Sequence, residues 1–541
     1  MCGLIAAWDP ERKFNNILYQ SVNDLSHRGP DAQNTMLLDE QRLFFAHARL
    51  KIIDMSNNAN QPFLSPCGRW ALIYNGEIYN FRELRKEIAD RWSWKTMSDT
   101  EVLLAAWTLW GEDCLNKLVG MFAFIIFDTK NKKLIIVRDR FGIKPLYRLV
   151  QNDFTIIASE IAPLLRFQKS ITADNRTIRT YLEKGYYDHS KNTFFNGINS
   201  IMPGTITELD LYKNKEKTNK WYKLSEHVKD NQGMSEEDII IQTENLTKQA
   251  ISSNLISDVP IGLNVSGGVD SSMLVSMAME ELGHCNLFTQ DYLGYSELPW
   301  VKEIAEGGSL NIENLTLEKI NGFLESTIKA QGEPFGGVSV CGYNAIYQTA
   351  KRKNIKVLLD GNGVDESFLG YEKYHQLYVE TASSSKEYEK RKKAFINFWE
   401  HDLEPFKPTS SIDGSNGLKP EAMDKALLKN ELILSPDDND FENPVRQLAA
   451  NDLLYNKIPR GLRFNDRISM FHSCELRVPF LDHRLIEFAY SIPINFLLND
   501  RGSKVIFRKV LAKNVSNNIA FAKKRSIQSP QREWLAEGWR K

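Results

Sequence analysis

The hydrophobic pattern of the chain changes character part-way along. The first half alternates short apolar runs with polar turns. Gly3 to Trp8 reads as a strand directly after Met1 and Cys2, and Ala46 to Leu50 as another. The apolar runs Phe122–Phe127 and Lys133–Val137 flank the polar Asp128–Lys132, which predicts a hairpin between two buried strands. Ser98 to Glu101 reads as the capped start of a helix carrying Val102, Leu103, Ala106 and Trp107. Such a set predicts two packed antiparallel sheets flanked by helices, an α/β/β/α sandwich. This domain is expected to span residues 1–210. Residues 211–236, polar and rich in lysine, read as a linker.

From residue 237 to 541 the pattern becomes α/β. Pro260–Asn264, Leu287–Gln290, Asn311–Leu315 and Lys356–Leu359 look like short parallel strands separated by helices. Parallel sheets of this kind bind ligands at the carboxyl ends of their strands. After Tyr374-His375 no further unit of a strand followed by a Gly loop is expected. Ser383–Ser385 and Thr409–Ser411 read as loops, and Asn465–Asp482 as a charged helix-and-turn region.

Candidate chemistry sharpens this picture at two places. The string Ser266-Gly267-Gly268-Val269-Asp270-Ser271-Ser272 joins a strand to a helix. Backbone N–H groups at such a junction point at an anion, and the helix dipole favours it. Two glycines let oxygens approach the main chain. The serines add donors, and Asp270 can hold a metal ion beside a phosphate. The string lacks the Gly-x-x-x-x-Gly-Lys-Ser/Thr of a Walker loop, which removes the main support for a kinase or GTPase. The loop Asp360-Gly361-Asn362-Gly363-Val364-Asp365-Glu366 follows a strand at the same sheet end, so both loops can face one nucleotide. Lys504 and Arg508 lie one turn apart on an expected helix, where two cations suit phosphate oxygens.

The second place is the amino end. If Met1 is removed, Cys2 carries both a thiol and a free α-amine, with reference pKa values of about 8.5 and about 7.7–8.0. The amine can activate its own nucleophile. Arg49 ends a strand and suits a carboxylate. Asn75 and Gly76 lie side by side in an expected turn, and their N–H donors can form an oxyanion hole. Asp99 can take an ammonium group.

Composition narrows the class. The 541 residues exceed one core, so two or three domains are expected. With 68 basic and 69 acidic residues the net charge is -1, which offers no global attraction to nucleic acid or an anionic membrane. No apolar run approaches the ~20 residues of a membrane span. Six cysteines without a C-x-x-C pair suggest neither a zinc site nor a disulfide framework. No secretory signal is visible at the start, and a reducing cytoplasm fits.

The first half, through Cys2, His27-Arg28-Gly29-Pro30-Asp31, Arg49, Asn75–Gly76 and Asp99, resembles the glutaminase domain of class II glutamine amidotransferases. The resemblance implies that Cys2 attacks the glutamine amide and Asn75 with Gly76 holds the oxyanion. Arg49 would bind the α-carboxylate, and Glu77 with Asp99 the α-amine. The Ser266 string resembles the pyrophosphate loop of ATP pyrophosphatases. Nearly the whole chain is similar to glutamine-hydrolysing asparagine synthetases of the bacterial B type. That similarity implies ATP and Mg2+ as cofactors, with Ser266, Gly267, Gly268, Asp270, Ser271 and Ser272 on pyrophosphate. Asn264, Gln290 and Gly361 would contact the nucleoside, beside Asp360. Asp365, Arg467 and Lys504 would serve phosphate or metal in the adenylation step.

Where the family usually reads Ser-Gly-Glu-Gly-Ser/Ala-Asp-Glu, this chain has Asp360, Asn362 and Val364. Asn362 can hydrogen-bond but cannot take a proton at neutral pH. The expected reaction is amidation of a carboxylate: aspartate, or alternatively a sugar uronate. A glutaminase-only or regulatory protein is the third reading. The expected partners are small molecules (glutamine, ATP, a carboxylate acceptor), and a homodimer is compatible with the sequence.

Overall fold

The computed structural model describes all residues except 1, 12, 13, 15, 230, 232, 407–423, 434, 437–439, 525–528 and 538–541. Met1 and the loop expected at Thr409–Ser411 therefore lie outside the described residues.

Two six-stranded antiparallel sheets form the first half. One runs in the order Ile198–Ser200, Tyr147–Gln151, Phe154–Ala158, Gly3–Trp8, Leu43–Arg49, Ala32–Leu38. The other runs Lys215–Lys220, Thr205–Asp210, Lys133–Arg138, Gly120–Asp128, Trp70–Ile78, Phe63–Leu64. Alternation of side chains decides what each face meets. Leu4, Ala6 and Trp8 pack with Ile73, Ile125 and Ile136 between the sheets. Ile5 and Ala7 turn the other way, onto Leu18 and Val22 of the helix Asn16–Asn23. Tyr74, Phe122 and Phe124 meet Leu103 and Trp107 of the helix Asp99–Trp110. The result is the expected α/β/β/α sandwich.

The second half is built on one five-stranded parallel sheet, ordered Ser309–Leu315, Asn286–Tyr292, Ile261–Asn264, Val357–Leu359, Glu475–Arg477. From the central Ile261–Asn264 the chain adds two strands on one side, then two on the other. The order reverses between Ile261–Asn264 and Val357–Leu359, and a crevice opens at the carboxyl ends of such a pair. The Ser266 and Asp360 loops start there.

Three local expectations change. Tyr74 to Ile78 is the end of the strand Trp70–Ile78, not a turn. Its polar Asn75 and Glu77 are buried, which hides the strand from a hydropathy reading. Glu475–Arg477 is a fully buried strand inside the region expected to be helix and turn. Its two charges pair with each other, Arg477 Nε to Glu475 Oε1 at 2.6 Å, so a buried segment reads as polar. Lys215–Lys220, within the expected linker, is an exposed strand pairing with Thr205–Asp210. Lysines on an edge strand block further pairing.

The halves share one apolar cluster, in which Leu50, Met121 and Phe141 of the sandwich join Leu263, Val478 and Leu481. Across this seam, fully buried Arg28 donates from Nη1 to Glu160 Oε1 and Asp466 Oδ2, both at 2.7 Å, and from Nε to the Cys2 carbonyl at 3.1 Å. Removing the cation leaves two buried carboxylates unmatched. Arg28→Met should therefore lose about 3–5 kcal/mol in chemical denaturation.

Candidate active site

Cys2 immediately precedes Gly3–Trp8, a central strand whose neighbours on both sides fix its position. Its backbone nitrogen donates to Asn75 Oδ1 at 2.9 Å. Burial pushes the Cys2 thiol up, against the Leu50 N–H and the Arg49 charge. Asn75 is fully buried, and its Nδ2 has no hydrogen-bond partner. A buried unpaired N–H is costly, and a developing oxyanion would satisfy it. Gly76 is required by space: a Cβ there would sit 2.1 Å from the Met121 carbonyl oxygen and 2.7 Å from Phe122 Cα.

Arg49 is held by neutral acceptors. Its Nη1 donates to the Ser56 carbonyl at 2.7 Å and Asn60 Oδ1 at 2.8 Å, and its Nη2 to the Ile53 and Asp54 carbonyls. None of these cancels its charge, which leaves a guanidinium suited to a carboxylate. Asp99 accepts from Tyr74 Oη at 2.9 Å and the Ile78 N–H at 3.0 Å. Burial pushes its carboxyl up, opposed by those two bonds. Glu77 is pushed well up by burial and by Glu475, against Arg477, whose Nη2 lies 3.3 Å away.

In the second half, the Ser266 string forms the expected strand-to-helix junction, with Gly268 before the helix Val269–Leu282. Ser271 Oγ accepts from the Ser266 N–H at 3.0 Å, and the Gly268 N–H reaches Ser266 Oγ at 3.3 Å. A Cβ at Gly361 would stand 3.3 Å from Asp270 Cβ and the Ser271 nitrogen, so the two loops abut. Asn264 Nδ2 donates to Asp360 Oδ2 at 3.0 Å.

Lys504 binds these parts together. It adopts a left-handed φ of 56° just before the helix Val505–Leu511. Its Nζ lies 2.7 Å from both Asp270 Oδ1 and Asp365 Oδ1. Lys524, which sequence reasoning missed, adds a contact to Asp365 Oδ1 at 2.9 Å. Despite burial, these two lysines hold the Asp365 carboxyl far below the usual range. Asp270 is pushed up by burial and by Asp365, against Lys504. Two carboxylates on one ammonium form an all-oxygen donor set that fits a hard divalent ion such as Mg2+. No group of three or more metal-ligating side chains occurs among the described residues, so phosphate oxygens would complete its shell.

Three expected residues have other company. Arg467 Nη2 pairs with Glu333 Oε2 at 2.5 Å and Tyr147 Oη at 3.2 Å, at the seam between the halves. Gln290 Oε1 accepts from Tyr292 Oη at 2.7 Å. Arg508 does not stand beside Lys504 on a helix face: it donates to the Ser503, Ala520 and Ala522 carbonyls.

The two centres are joined through Arg477. Its guanidinium meets Glu77 of the sandwich, and its carbonyl accepts the Asp360 N–H at 2.9 Å. Two cavities of about 20 Å3 each lie along the seam, and Phe141 and Ile143 line both. Each has room for about one water-sized molecule.

Comparison with known proteins agrees with this division. Residues 1–222 match the glutamine amidotransferase domain, and residues 242–541 match asparagine synthase. The chain belongs to the asparagine synthase family. It is 29% identical to asparagine synthetase [glutamine-hydrolyzing] 3 of Bacillus subtilis (strain 168), covering 97% of this chain and 86% of that one. Asparagine synthetase [glutamine-hydrolyzing] 1 of the same strain is 28% identical, over 99% and 88%. The amidase chyE of Penicillium rubens is 25% identical, over 96% and 85%. As a member of the family, this chain is an ATP-using enzyme of the glutamine-hydrolysing asparagine synthase type. No described helix is long and apolar enough to cross a membrane.

Two measurements follow from the geometry. A Cβ at Gly370 would stand 1.8 Å from Asp365 Oδ1 and 2.0 Å from Lys504 Cε. These are the ends of buried, paired side chains, so Gly370→Ala should displace the ion pair and lose some stability with it. ATP–pyrophosphate exchange should fall at least about tenfold, the effect of losing roughly 1.4 kcal/mol, while glutamine hydrolysis persists. Glu366 is pushed from its ordinary 4.5 to about 7 by burial and by Asp365. The folded chain then holds this proton more tightly than the unfolded one, so stability is lost as pH rises from 4.5 to about 7. Glu366→Gln removes that loss. Denaturation curves should show the variant about 3 kcal/mol more stable above pH 7 and equal to the parent at acid pH.

Proposed function

We propose that this enzyme converts aspartate to asparagine through an acyl-adenylate, using ammonia cut from glutamine at Cys2. The observation that carries the reading is Arg477, whose side chain touches the glutamine half-site and whose carbonyl anchors the nucleotide loop.

Once Met1 is gone, the Cys2 α-amine takes the thiol proton. The sulfur attacks the glutamine amide carbon, and the oxyanion meets Asn75 Nδ2 and the Gly76 N–H. Arg49 holds the α-carboxylate, and Asp99 and Glu77 the α-ammonium. The C–N bond breaks, the departing nitrogen takes the proton, and water later frees glutamate from the thioester.

At the other centre the Ser266 loop and Lys504 hold the ATP phosphates. A carboxylate oxygen of aspartate bonds to the α-phosphorus, and pyrophosphate leaves. Mg2+ held by Asp270 and Asp365 would offset phosphate charge there. Ammonia crosses the seam by the cavities around Phe141 and Ile143. Their small size keeps it from bulk water, where protonation would remove its lone pair. Its nitrogen attacks the acyl carbon, and the bond to AMP breaks.

Cys2→Ala separates the two halves. Glutamine-driven product should vanish, while added ammonia should still give product and pyrophosphate. Persistent glutamine-driven synthesis in that variant would refute the assignment of Cys2.

A further inference from the structure

Arg49 owes its direction to a loop that the second half of the chain holds in place. Its Nη2 donates to the Ile53 carbonyl at 3.2 Å and to the Asp54 carbonyl at 2.5 Å. The Ile53 carbonyl and the Asp54 N–H belong to one peptide unit and point opposite ways. That unit is planar, so fixing one end fixes the other. The Asp54 N–H donates to Asp258 Oδ2 at 2.8 Å. An ionised acceptor on the N–H side also polarises the peptide, which makes its carbonyl a stronger acceptor for Arg49.

Asp54 ties a second part of the site to the first. It has a left-handed φ of 57°, which a residue other than glycine keeps only where its surroundings determine it. Its Oδ1 accepts from the Ser56 N–H at 2.9 Å, and its Oδ2 from the Met97 N–H at 2.8 Å. Met97 stands two residues before Asp99. Asp54 therefore links the carboxylate grip at Arg49 to the turn that presents Asp99. Asp258, which orients Asp54, is itself firmly presented. Its N–H donates to the Ile52 carbonyl at 2.9 Å. The Ser257 hydroxyl closes the turn onto the Val259 carbonyl at 2.9 Å, and the Ile256 carbonyl accepts from Arg477 Nη1 at 2.7 Å. The Asp258 residue is exposed, so replacing its side chain disturbs no core.

We propose that Asp258 is a positioning residue for glutamine: a carboxylate from the second half of the chain that sets the grip of Arg49 on the substrate's α-carboxylate. This deepens the reading of the glutamine site and rests on it. Asp258 acts through the Ile53–Asp54 peptide and Arg49, not on the reacting atoms. Its loss lets that peptide rotate and takes acceptors away from the guanidinium. Binding then weakens alike in the ground state and the transition state, which raises KM and leaves kcat in place.

Glutaminase kinetics of the full chain test this. Asp258→Ala keeps the backbone bond to Ile52 and removes only the carboxylate. Its KM for glutamine should rise at least about fivefold, the effect of one lost hydrogen bond, with kcat within about twofold of the parent. Asp258→Asn keeps an acceptor oxygen for the Asp54 N–H and should recover most of the loss. Ammonia-driven synthesis and the KM for ATP should not move in either variant, which reports that the chain has folded and that the Ser266 loop downstream is undisturbed. A KM for glutamine that stays in place in Asp258→Ala, a change carried by kcat alone, an equal loss of ammonia-driven synthesis, or an asparagine variant no better than alanine overturns the inference alone. Arg49→Lys with an unchanged KM for glutamine overturns the reading of the glutamine site and this inference together.

Discussion

A buried guanidinium sets the terms for the rest of the molecule. Arg477 is completely enclosed, and such a charge persists only if every direction it faces supplies an acceptor. Glu475 supplies one on the same strand, Glu77 one from the sandwich, and the Asn254 and Ile256 carbonyls two more at 2.7 Å. Burial pushes Glu475 up, yet the charge of the amino terminus, with Arg477 and Lys144 after it, holds it down at about 2. The two halves cannot slide past one another without stranding one of these charges. Arg28, with Glu160 and Asp466, repeats the device elsewhere on the seam.

The apolar contacts between the halves exclude water around these pairs, and exclusion strengthens them. Packing and charge therefore make the same demand on the seam: narrow and enclosed, with Phe141 and Ile143 set among buried charges such as Arg140 and Asp466.

Much of this was legible in the chain. Alternating apolar runs announced the sandwich, and the Ser266 string announced a strand-to-helix junction. Cys2, Asn75 and Gly76 were marked as candidates by residue type and order, and Cys2 and Asn75 meet in the fold. What escaped were contacts between residues far apart in sequence. Lys524 joins Asp365 across 159 positions, and no local pattern marks it. The strand Glu475–Arg477 failed the hydropathy test because its charges are cancelled in space. Arg467, which the family resemblance sets beside phosphate or metal, pairs with Glu333, a partner no local pattern marks. Lys504 was read on a helix with Arg508, yet its left-handed backbone places it outside the first turn and turns it to the carboxylates.

The bond from the Asp360 N–H to the Arg477 carbonyl also has a meaning in time. Ribosomes make the chain from its amino end, and the sandwich strands emerge long before Glu475–Arg477. Until then Glu77 lacks its cation, and the nucleotide loop lacks the strand that holds its first residue. A half-translated molecule thus has Glu77 unpaired from Arg477 and the Asp360 loop without its anchor, and both are completed by the same late segment.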